Sequence, residues 1–140
     1  MKSFLSAAAL SALLALGLAP MQGAAAAEPM VIDGLTGNVE DGAKVYRRCS
    51  ACHVIESGVN RVGPSLYGII GRQAGTVEGF RYSKANADSG VTWTPEVMFE
   101  YLENPRAYMP GNRMAFPGLK NPQQRVDVIA YIAANGGLAQ

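Results

Sequence analysis

The sequence contains a short motif, Cys49-Ser50-Ala51-Cys52-His53, in which two thiols are followed at once by an imidazole. On a helical turn, two cysteines three residues apart lie on one face, with Cβ atoms about 5–6 Å apart. Each thiol can then add to one of the two vinyl groups of a single porphyrin, and the histidine can bind its iron. Because C-x-x-C-H is the attachment pattern of c-type haem, we predict one haem c per chain, attached at Cys49 and Cys52 and ligated by His53.

The motif has three other interpretations. A thioredoxin-like redox pair needs a C-x-x-C beside a βαβ unit, and no strand pattern predicts such a unit here. A zinc site needs four ligands, whereas the chain contains only two cysteines and one histidine. A chance match on a surface helix is the third alternative. The single histidine also excludes a second histidine on the iron, so any sixth ligand must be another residue type.

Methionine is a usual partner of histidine on electron-carrying haem iron, and the chain has six methionines. Met109 and Met114 lie in a segment rich in proline and glycine, from which a loop can reach the second haem face. Met98 lies in a predicted helix, where filling the core is the better interpretation. Met114 follows the Pro110-Gly111 turn by three residues and is our first choice. Met109, and an open or lysine-ligated iron, are the alternatives. The remaining methionines lie near the N-terminus: Met1, Met21 and Met30.

The first 27 residues are typical of a secretory signal peptide. Lys2 precedes an apolar run from Phe4 to Pro20, and the segment ends in the A-x-A pattern of Ala25–Ala27. The apolar run is a little shorter than the ~20 residues that a membrane-spanning helix needs, although an uncleaved anchor is the alternative. We therefore predict cleavage after Ala27 and a periplasmic protein.

Charge and length exclude several classes of function. The chain carries 12 basic and 11 acidic residues, so loss of the leader with Lys2 leaves a formally neutral protein. No net positive field would then attract nucleic acid or an anionic membrane. A chain of 140 residues has room for one domain. We expect a soluble monomer that binds no nucleic acid.

Helix-start and helix-stop signals predict an all-α fold with three principal helices and no convincing strand. The helices are expected over about 39–51 after an Asn38 cap, from Thr94-Pro95 to Asn104-Pro105, and from Asn121-Pro122 to Gly136, with a short helix at 83–88. Residues 28–36 are expected to form a tail, and 37–140 the domain. Residues 56–79 are glycine-rich and irregular, which a large cofactor supplying part of the core would explain. Gly42, within the first helix, indicates close approach of another helix or simple tolerance.

From Gly37 to Gly137 the sequence resembles the small class I cytochromes c, in particular the mitochondrial type and its soluble periplasmic bacterial relatives. Beyond C-x-x-C-H the matching strings are Gly63-Pro64-Ser65-Leu66-Tyr67-Gly68, Gly71-Arg72, Gly79-Phe80-Arg81-Tyr82, Tyr101-Leu102-Glu103-Asn104-Pro105 and Pro110-Gly111-Asn112-Arg113-Met114-Ala115-Phe116. Two departures stand out: Asn112 occupies a position where Thr is common, and one residue is missing between His53 and Pro64 relative to the mitochondrial spacing.

The resemblance implies a role for most of these residues. It implies Met114 as the second axial iron ligand and the Pro64 carbonyl as acceptor for the other ring nitrogen of His53. It implies a crossing of the first and last helices at Gly42 and Tyr131. The residues implied to hold the haem propionates are Arg72, Tyr82, Trp93 and Asn112, and those implied near the Met114 side are Asn86 and Tyr101.

The resemblance also implies a non-enzymatic, soluble periplasmic electron carrier. Its haem iron would cycle between Fe(II) and Fe(III) with both axial positions filled and with no small-molecule substrate. The implied donor is a quinol:cytochrome c oxidoreductase, and the implied acceptor a terminal oxidase, a reaction centre or a periplasmic enzyme. Docking is expected at the haem edge near Arg48, Arg106, Arg113 and Lys120. The alternatives are a small haem peroxidase or gas-binding haem protein with an open sixth position, and a membrane-tethered carrier.

Overall fold

The computed structural model describes residues 28–138, so the predicted signal peptide lies outside the described residues. The described chain is mainly helical, as expected. Its elements in chain order are β1 (Val31–Ile32), β2 (Leu35–Thr36), α1 (Val39–Tyr46), α2 (Lys84–Ala87), α3 (Pro95–Glu103), α4 (Pro105–Tyr108) and α5 (Pro122–Ile132), which continues into a π-type turn (Ala133–Gly137). Among these residues, no helix has the length and apolar character needed to cross a membrane.

The predicted N-terminal tail contains a β-hairpin, so the expectation of no strand was wrong. Val31 pairs with Thr36 and Ile32 with Leu35, across a turn in which both central residues, Asp33 and Gly34, have positive φ. Such turns match the twist of a hairpin. The Ile32 side chain is buried in the core. Strands of two residues are too short to show the alternation by which a strand is recognised in a sequence.

Side-chain caps start every helix in the described residues. The capping oxygens belong to Asn38, Ser83, Thr94, Asn104 and Asn121, and proline occupies the first turn of α3, α4 and α5. The predicted starts of the three principal helices are therefore confirmed. The same cap-and-proline pattern at Asn104-Pro105 opens the short helix α4, which the sequence analysis took only as a stop signal for α3.

The first helix is shorter than the predicted 39–51. The regular helix α1 ends at Tyr46, because the next amides switch to tighter bonds three residues back, with the Arg48 N–H donating to the Val45 carbonyl and the Cys49 N–H to the Tyr46 carbonyl. This series of turns continues until the His53 N–H donates to the Cys49 carbonyl at 2.9 Å. The two cysteines thus lie on helical turns beyond the regular helix.

Helices α1 and α5 cross in direct backbone contact. A Cβ built on Gly42 would lie 2.0 Å from the Asp127 carbonyl oxygen, so only glycine fits at this crossing. The rings of Tyr46 and Tyr131 pack beside it with centroids 5.0 Å apart. The buried Asp127 carboxylate accepts hydrogen bonds from the Asn38 backbone N–H at 2.9 Å and the Gln123 side chain at 2.8 Å. The expected crossing of the first and last helices is confirmed.

The hydrophobic core surrounds α5, whose Val126, Val128 and Ile129 are completely buried. Helices α1 and α3 both pack against α5. The irregular segment 56–79 contains no helix or strand and is held by hydrogen bonds to distant chain segments. In particular, the Gly68 and Ile70 amides donate to the carbonyls of Gly136 and Gly137 at the C-terminal end of the described chain. These contacts fix a long loop as one side of a cavity.

Candidate functional site

A cavity of about 510 Å³ lies between the irregular segment, α3, α5 and the segment after α4. This volume is within the range of about 300–1,000 Å³ typical of cofactor sites. Much of its wall is apolar, formed by residues such as Leu66, Ile69, Val128 and Ile132. The apolar lining means that the folded chain encloses space suited to a large, mainly hydrophobic group.

The cavity wall contains all eleven residues that the sequence analysis assigned to the cofactor and the iron: Cys49, Cys52, His53, Pro64, Arg72, Tyr82, Asn86, Trp93, Tyr101, Asn112 and Met114. Met109, the alternative axial ligand, is buried in the core and does not line the cavity. Of the four cations expected at the docking edge, Arg48 and Arg113 line the cavity, whereas Arg106 and Lys120 do not.

The imidazole of His53 is fixed by its neighbours. Its Nδ1 lies 2.8 Å from the Pro64 carbonyl oxygen, and because a carbonyl only accepts hydrogen bonds, Nδ1 carries the proton. A Cβ built on Gly63 would lie 2.3 Å from the ring, so glycine is required beside it. Burial lowers the pKa of His53, although the Pro64 bond opposes this effect. The neutral ring therefore leaves Nε2 free to bind a metal.

The Cys49 thiol lacks the lowered pKa that is typical of a redox-active cysteine. No disulfide joins Cys49 and Cys52. Burial raises the pKa of the Cys49 thiol to about 11, with Cys52 adding to the shift and Arg48 opposing it. Thiol–disulfide enzymes instead lower the pKa of the attacking cysteine, so the thioredoxin-like alternative loses support. Within residues 28–138, no cluster of three or more His, Cys, Asp or Glu side chains could hold a metal ion, which also disfavours a zinc site.

Met114 reaches the cavity from a segment without regular secondary structure. Its Sδ lies 3.6 Å from the Tyr101 hydroxyl. Burial raises the pKa of Tyr101 to about 12, so the hydroxyl keeps its proton and can donate it to the sulfur. The Tyr101 ring packs edge-on against Trp93 and Tyr108, with centroids 4.8 and 5.7 Å away. The sulfur therefore has a well-packed aromatic neighbour but only a weak polar contact.

Arg72 carries positive charge into the cavity wall. Its guanidinium donates to the carbonyls of Tyr67 at 2.6 Å and Ser65 at 3.0 Å. Burial lowers the pKa of Arg72, but a guanidinium stays protonated in proteins. Burial also raises the pKa of the nearby Tyr82, which Arg72 opposes. These two groups offer a cation and a hydroxyl donor to any carboxylate in the cavity.

Both side-chain N–H groups of Asn112 already donate to carbonyl groups of the protein. Its Nδ2 donates to the Pro105 carbonyl at 2.6 Å and the Met109 carbonyl at 2.8 Å, and its Oδ1 accepts from the Met114 N–H at 2.9 Å. A propionate contact from Asn112 would require one of these bonds to break. No pattern in the sequence signalled these contacts.

Sequence reasoning also missed residues at the cavity mouth. Arg81 and Val62 both line the cavity, and Val62 is 80% exposed. Arg81 stands inside one of the strings that carry the resemblance, where a cation beside two aromatic residues was the available signal. The side chain of Arg113 donates to the Tyr82 carbonyl at 3.0 Å, so it joins the Met114 segment to the loop across the mouth.

The residues of the cavity fit a haem. Thiols, an imidazole and a thioether are the groups that attach haem c and bind its iron in His/Met sites, and all of them line one apolar cavity. Four arginines and no Asp or Glu line the cavity, which suits a cofactor that bears carboxylates.

Comparison with known proteins agrees with this chemistry. A family model described as cytochrome c matches residues 39–135. Cytochrome c 2.1 of Caenorhabditis briggsae is 55% identical over 97 residues, which cover 69% of this chain and 87% of that protein. Cytochrome c2 of Rhodopila globiformis is 50% identical over 97 residues, covering 69% and 92%. The solved structure of cytochrome cH from Methylobacterium extorquens superposes with a TM-score of 0.66 at 36% identity, covering 70% of this chain and 99% of that one.

The family match spans more than half of the chain. The cytochrome c family binds haem c covalently, and Cys49 and Cys52 form the cysteine pair that such attachment needs. The cavity, its potential ligands and the helices around it therefore agree with the cofactor-binding fold of this family. The chain belongs to the cytochrome c family as a class I cytochrome c, an electron carrier that binds haem c covalently.

Proposed function

We propose that this protein is a periplasmic one-electron shuttle. Its donor would be a quinol:cytochrome c oxidoreductase, and its acceptor a terminal oxidase, a reaction centre or a periplasmic enzyme. The observation that carries the proposal is the presence of His53 and Met114 in the wall of one cavity that also contains both cysteines. Bound haem c supplies an iron that takes up or releases a single electron.

In this proposal the chain holds the cofactor by three kinds of contact. Cys49 and Cys52 would form the thioether bonds, and His53 and Met114 would bind the iron. Arg72, Tyr82 and Trp93 would hold the propionates, where a guanidinium and hydrogen-bond donors would offset the cost of burying carboxylates. With His53 and Met114 both bound to the iron, no position would be left for a peroxide or a gas, so the protein would carry electrons without bond chemistry.

The charges of the cavity mouth favour an acidic partner surface. Residues 28–138 contain 11 basic and 11 acidic side chains, yet no acid lines the cavity, and Arg48, Arg81 and Arg113 line it in addition to Arg72, which is assigned to the propionates. The remainder of the described chain therefore has seven basic against eleven acidic residues. This separation orients a formally neutral protein in the field of an acidic partner.

The docking face would centre on the exposed Val62, with Arg48, Arg81 and Arg113 around it. Arg106 and Lys120 would lie at its periphery, although the Lys120 ammonium already donates to the Glu103 carbonyl at 2.9 Å. A small apolar contact within a ring of charges suits the weak, brief encounters of electron-transfer proteins.

The axial ligands are tested by absorption spectroscopy of the purified holoprotein. The ferric protein should show the weak near-infrared sulfur-to-iron band, and the ferrous protein should not change when CO is added. High-spin ferric features, or a ferrous spectrum that shifts with CO, would instead support the peroxidase or gas-binding alternative.

The shuttle and its location are tested separately. Reduction by an acidic partner should slow steeply with added salt, and Arg48→Ala, Arg81→Ala and Arg113→Ala should each weaken that salt dependence. N-terminal sequencing of the periplasmic fraction should find Glu28. Recovery of Met1 in the membrane fraction would overturn the proposed cleavage and favour a tethered carrier.

A further inference from the structure

The segment that delivers Met114 has almost no hydrogen bonds of its own. Within residues 28–138, no backbone N–H or C=O of residues 113–118 bonds to another backbone group. The only one of its amides with any partner is that of Met114, which donates to Asn112 Oδ1 at 2.9 Å. The C-terminal end is better fixed, because the Leu119 N–H donates to the Leu102 carbonyl at 2.7 Å. The Arg113 side chain also ties the segment to the Tyr82 carbonyl at 3.0 Å, but the Met114 backbone itself is bonded only through Asn112 among the described residues.

Asn112 is held by the end of helix α4. Its two side-chain N–H groups donate to the carbonyls of Pro105 and Met109, at 2.6 and 2.8 Å. Its backbone N–H also donates to the Met109 carbonyl at 3.1 Å. The Pro105 carbonyl also accepts from the Met109 N–H at 3.0 Å, so it is shared between that bond and Asn112, whereas the Met109 carbonyl accepts only from Asn112 among the described residues. One amide thus joins the helix to the Met114 backbone.

Helix α4 is a firm base for this connection. Pro105 and Met109, which provide both accepting carbonyls, are buried in the protein. At the other end of α4, the Asn104 side chain accepts from the Ala107 N–H at 3.3 Å. The Tyr108 ring packs against Tyr101, the residue whose hydroxyl faces the Met114 sulfur.

We infer that Asn112 is a positioning residue for Met114 and does not serve as a propionate partner. The inference rests on the proposed role of Met114 as an axial ligand. Asn112 fixes the Met114 backbone through Oδ1, and both of its N–H groups are used to fix Asn112 itself. A threonine at this position has a single O–H donor, so it cannot form all three side-chain bonds.

The test compares Asn112→Ala with Asn104→Ala in the holoprotein. Asn104→Ala is the matched control, because it removes a cap from the same helix without touching Met114. In Asn112→Ala, exchange of the Met114 amide hydrogen should become about tenfold faster, as expected for the loss of one hydrogen bond. The sulfur-to-iron band should disappear on warming well before the far-ultraviolet circular dichroism changes. In Asn104→Ala the interval between the two losses should match that of the wild type, whereas in Asn112→Ala it should be wider.

A third, milder variant provides a readout even if Asn112→Ala does not fold. Asn112→Thr retains one acceptor and one donor, so its Met114 exchange rate and its band-loss temperature should lie between those of the wild type and Asn112→Ala. The inference is overturned if Asn112→Ala leaves Met114 exchange unchanged, or if its band disappears together with the circular dichroism signal. A wild-type protein that lacks the band would instead overturn the ligand assignment on which the inference rests.

Discussion

His53 is held through its own ring, whereas Met114 is held through its backbone. The imidazole donates to the Pro64 carbonyl at 2.8 Å and lies against the backbone of Gly63. Among residues 28–138, the polar contact of the Met114 sulfur is the Tyr101 hydroxyl at 3.6 Å, and the Met114 amide donates to Asn112. We call the side of the cavity at Gly63, Pro64 and His53 the histidine wall, and the side at Asn112 and Met114 the methionine wall. Direct contacts to the ring fix the histidine wall, whereas hydrogen bonds to α4 and Met109 fix the methionine wall.

This difference predicts which substitutions disturb each wall. The His53 ring is fixed by a hydrogen bond and packs directly against Gly63, so an added side-chain atom at Gly63 has no room. A thioether held through its backbone tolerates side-chain changes nearby but depends on its connection to the helix. The Met114 side should therefore open under milder conditions than the His53 side, because it contains fewer bonds that must break.

The largest effect should come from removing the attachment that both walls share. Cys49→Ala combined with Cys52→Ala should yield a colourless, largely unfolded chain, because the cavity of about 510 Å³ would lack the group that fills the core. Circular dichroism and the visible spectrum of the purified protein measure this. A native-like circular dichroism spectrum in the double variant would contradict the expectation.

The second effect distinguishes the two candidate methionines. Met114→Ala should abolish the sulfur-to-iron band and allow the ferrous protein to bind CO. Met109→Ala should keep the band but lower the free energy of unfolding by about 2–5 kcal/mol, because it leaves a void in the core. Absorption spectra and denaturant titrations of both variants measure the two quantities. Loss of the band in Met109→Ala alone would refute the assignment of Met114.

The third effect probes the histidine wall. Gly63→Ala would place a Cβ 2.3 Å from the His53 ring, so the ring or the backbone must move. We expect an altered haem spectrum and a loss of about 1–3 kcal/mol of unfolding free energy, as for an overfilled core. Gly37→Ala is the control, because its Cβ would lie 2.7 Å from the Ala130 side chain, away from the cavity. That variant should lose stability with an unchanged spectrum, and equal spectral changes in both would contradict the prediction.

The two walls also differ in how far the sequence predicted them. The C-x-x-C-H motif predicts the attachment and one ligand by local chemistry, since all the reacting groups lie within five residues. The single histidine then excludes a second histidine on the iron, which leaves Met114 as the first choice and Met109, or an open or lysine-ligated iron, as the alternatives. The connection of Asn112 to Pro105 and Met109 could not be predicted, because it depends on helix α4, whose start at Asn104-Pro105 was taken as the end of α3.

The crossing helices and the N-terminal hairpin also differ in how far a local sequence pattern predicted them. Gly42 within a helix indicated close packing because glycine is costly there, and the contact with Asp127 explains it. The hairpin at 31–36 depends on pairing between two-residue strands and on docking of Ile32 into the core. Such tertiary interactions override a local pattern that is too short to read.

The smallest expected effect concerns two tyrosines, one beside each wall. Tyr46 donates to the His53 carbonyl at 3.3 Å and Tyr101 faces the Met114 sulfur, and burial raises the pKa of each hydroxyl to about 12. An unfolded tyrosine ionises near pH 10. The unfolded state therefore loses its proton first, and the stability that each buried hydroxyl contributes is present below about pH 10 and lost as the pH rises towards 12.

Replacing either tyrosine by phenylalanine should flatten this alkaline loss. Denaturant titrations at about pH 9 and about pH 11 should show a smaller difference in unfolding free energy for Tyr46→Phe and Tyr101→Phe than for the wild type. Only Tyr101→Phe should also shift the sulfur-to-iron band, because its hydroxyl alone faces Met114. An equal band shift in Tyr46→Phe would mean that the two walls are coupled, and the contrast between a ligand held by its ring and one held by its backbone would then fail.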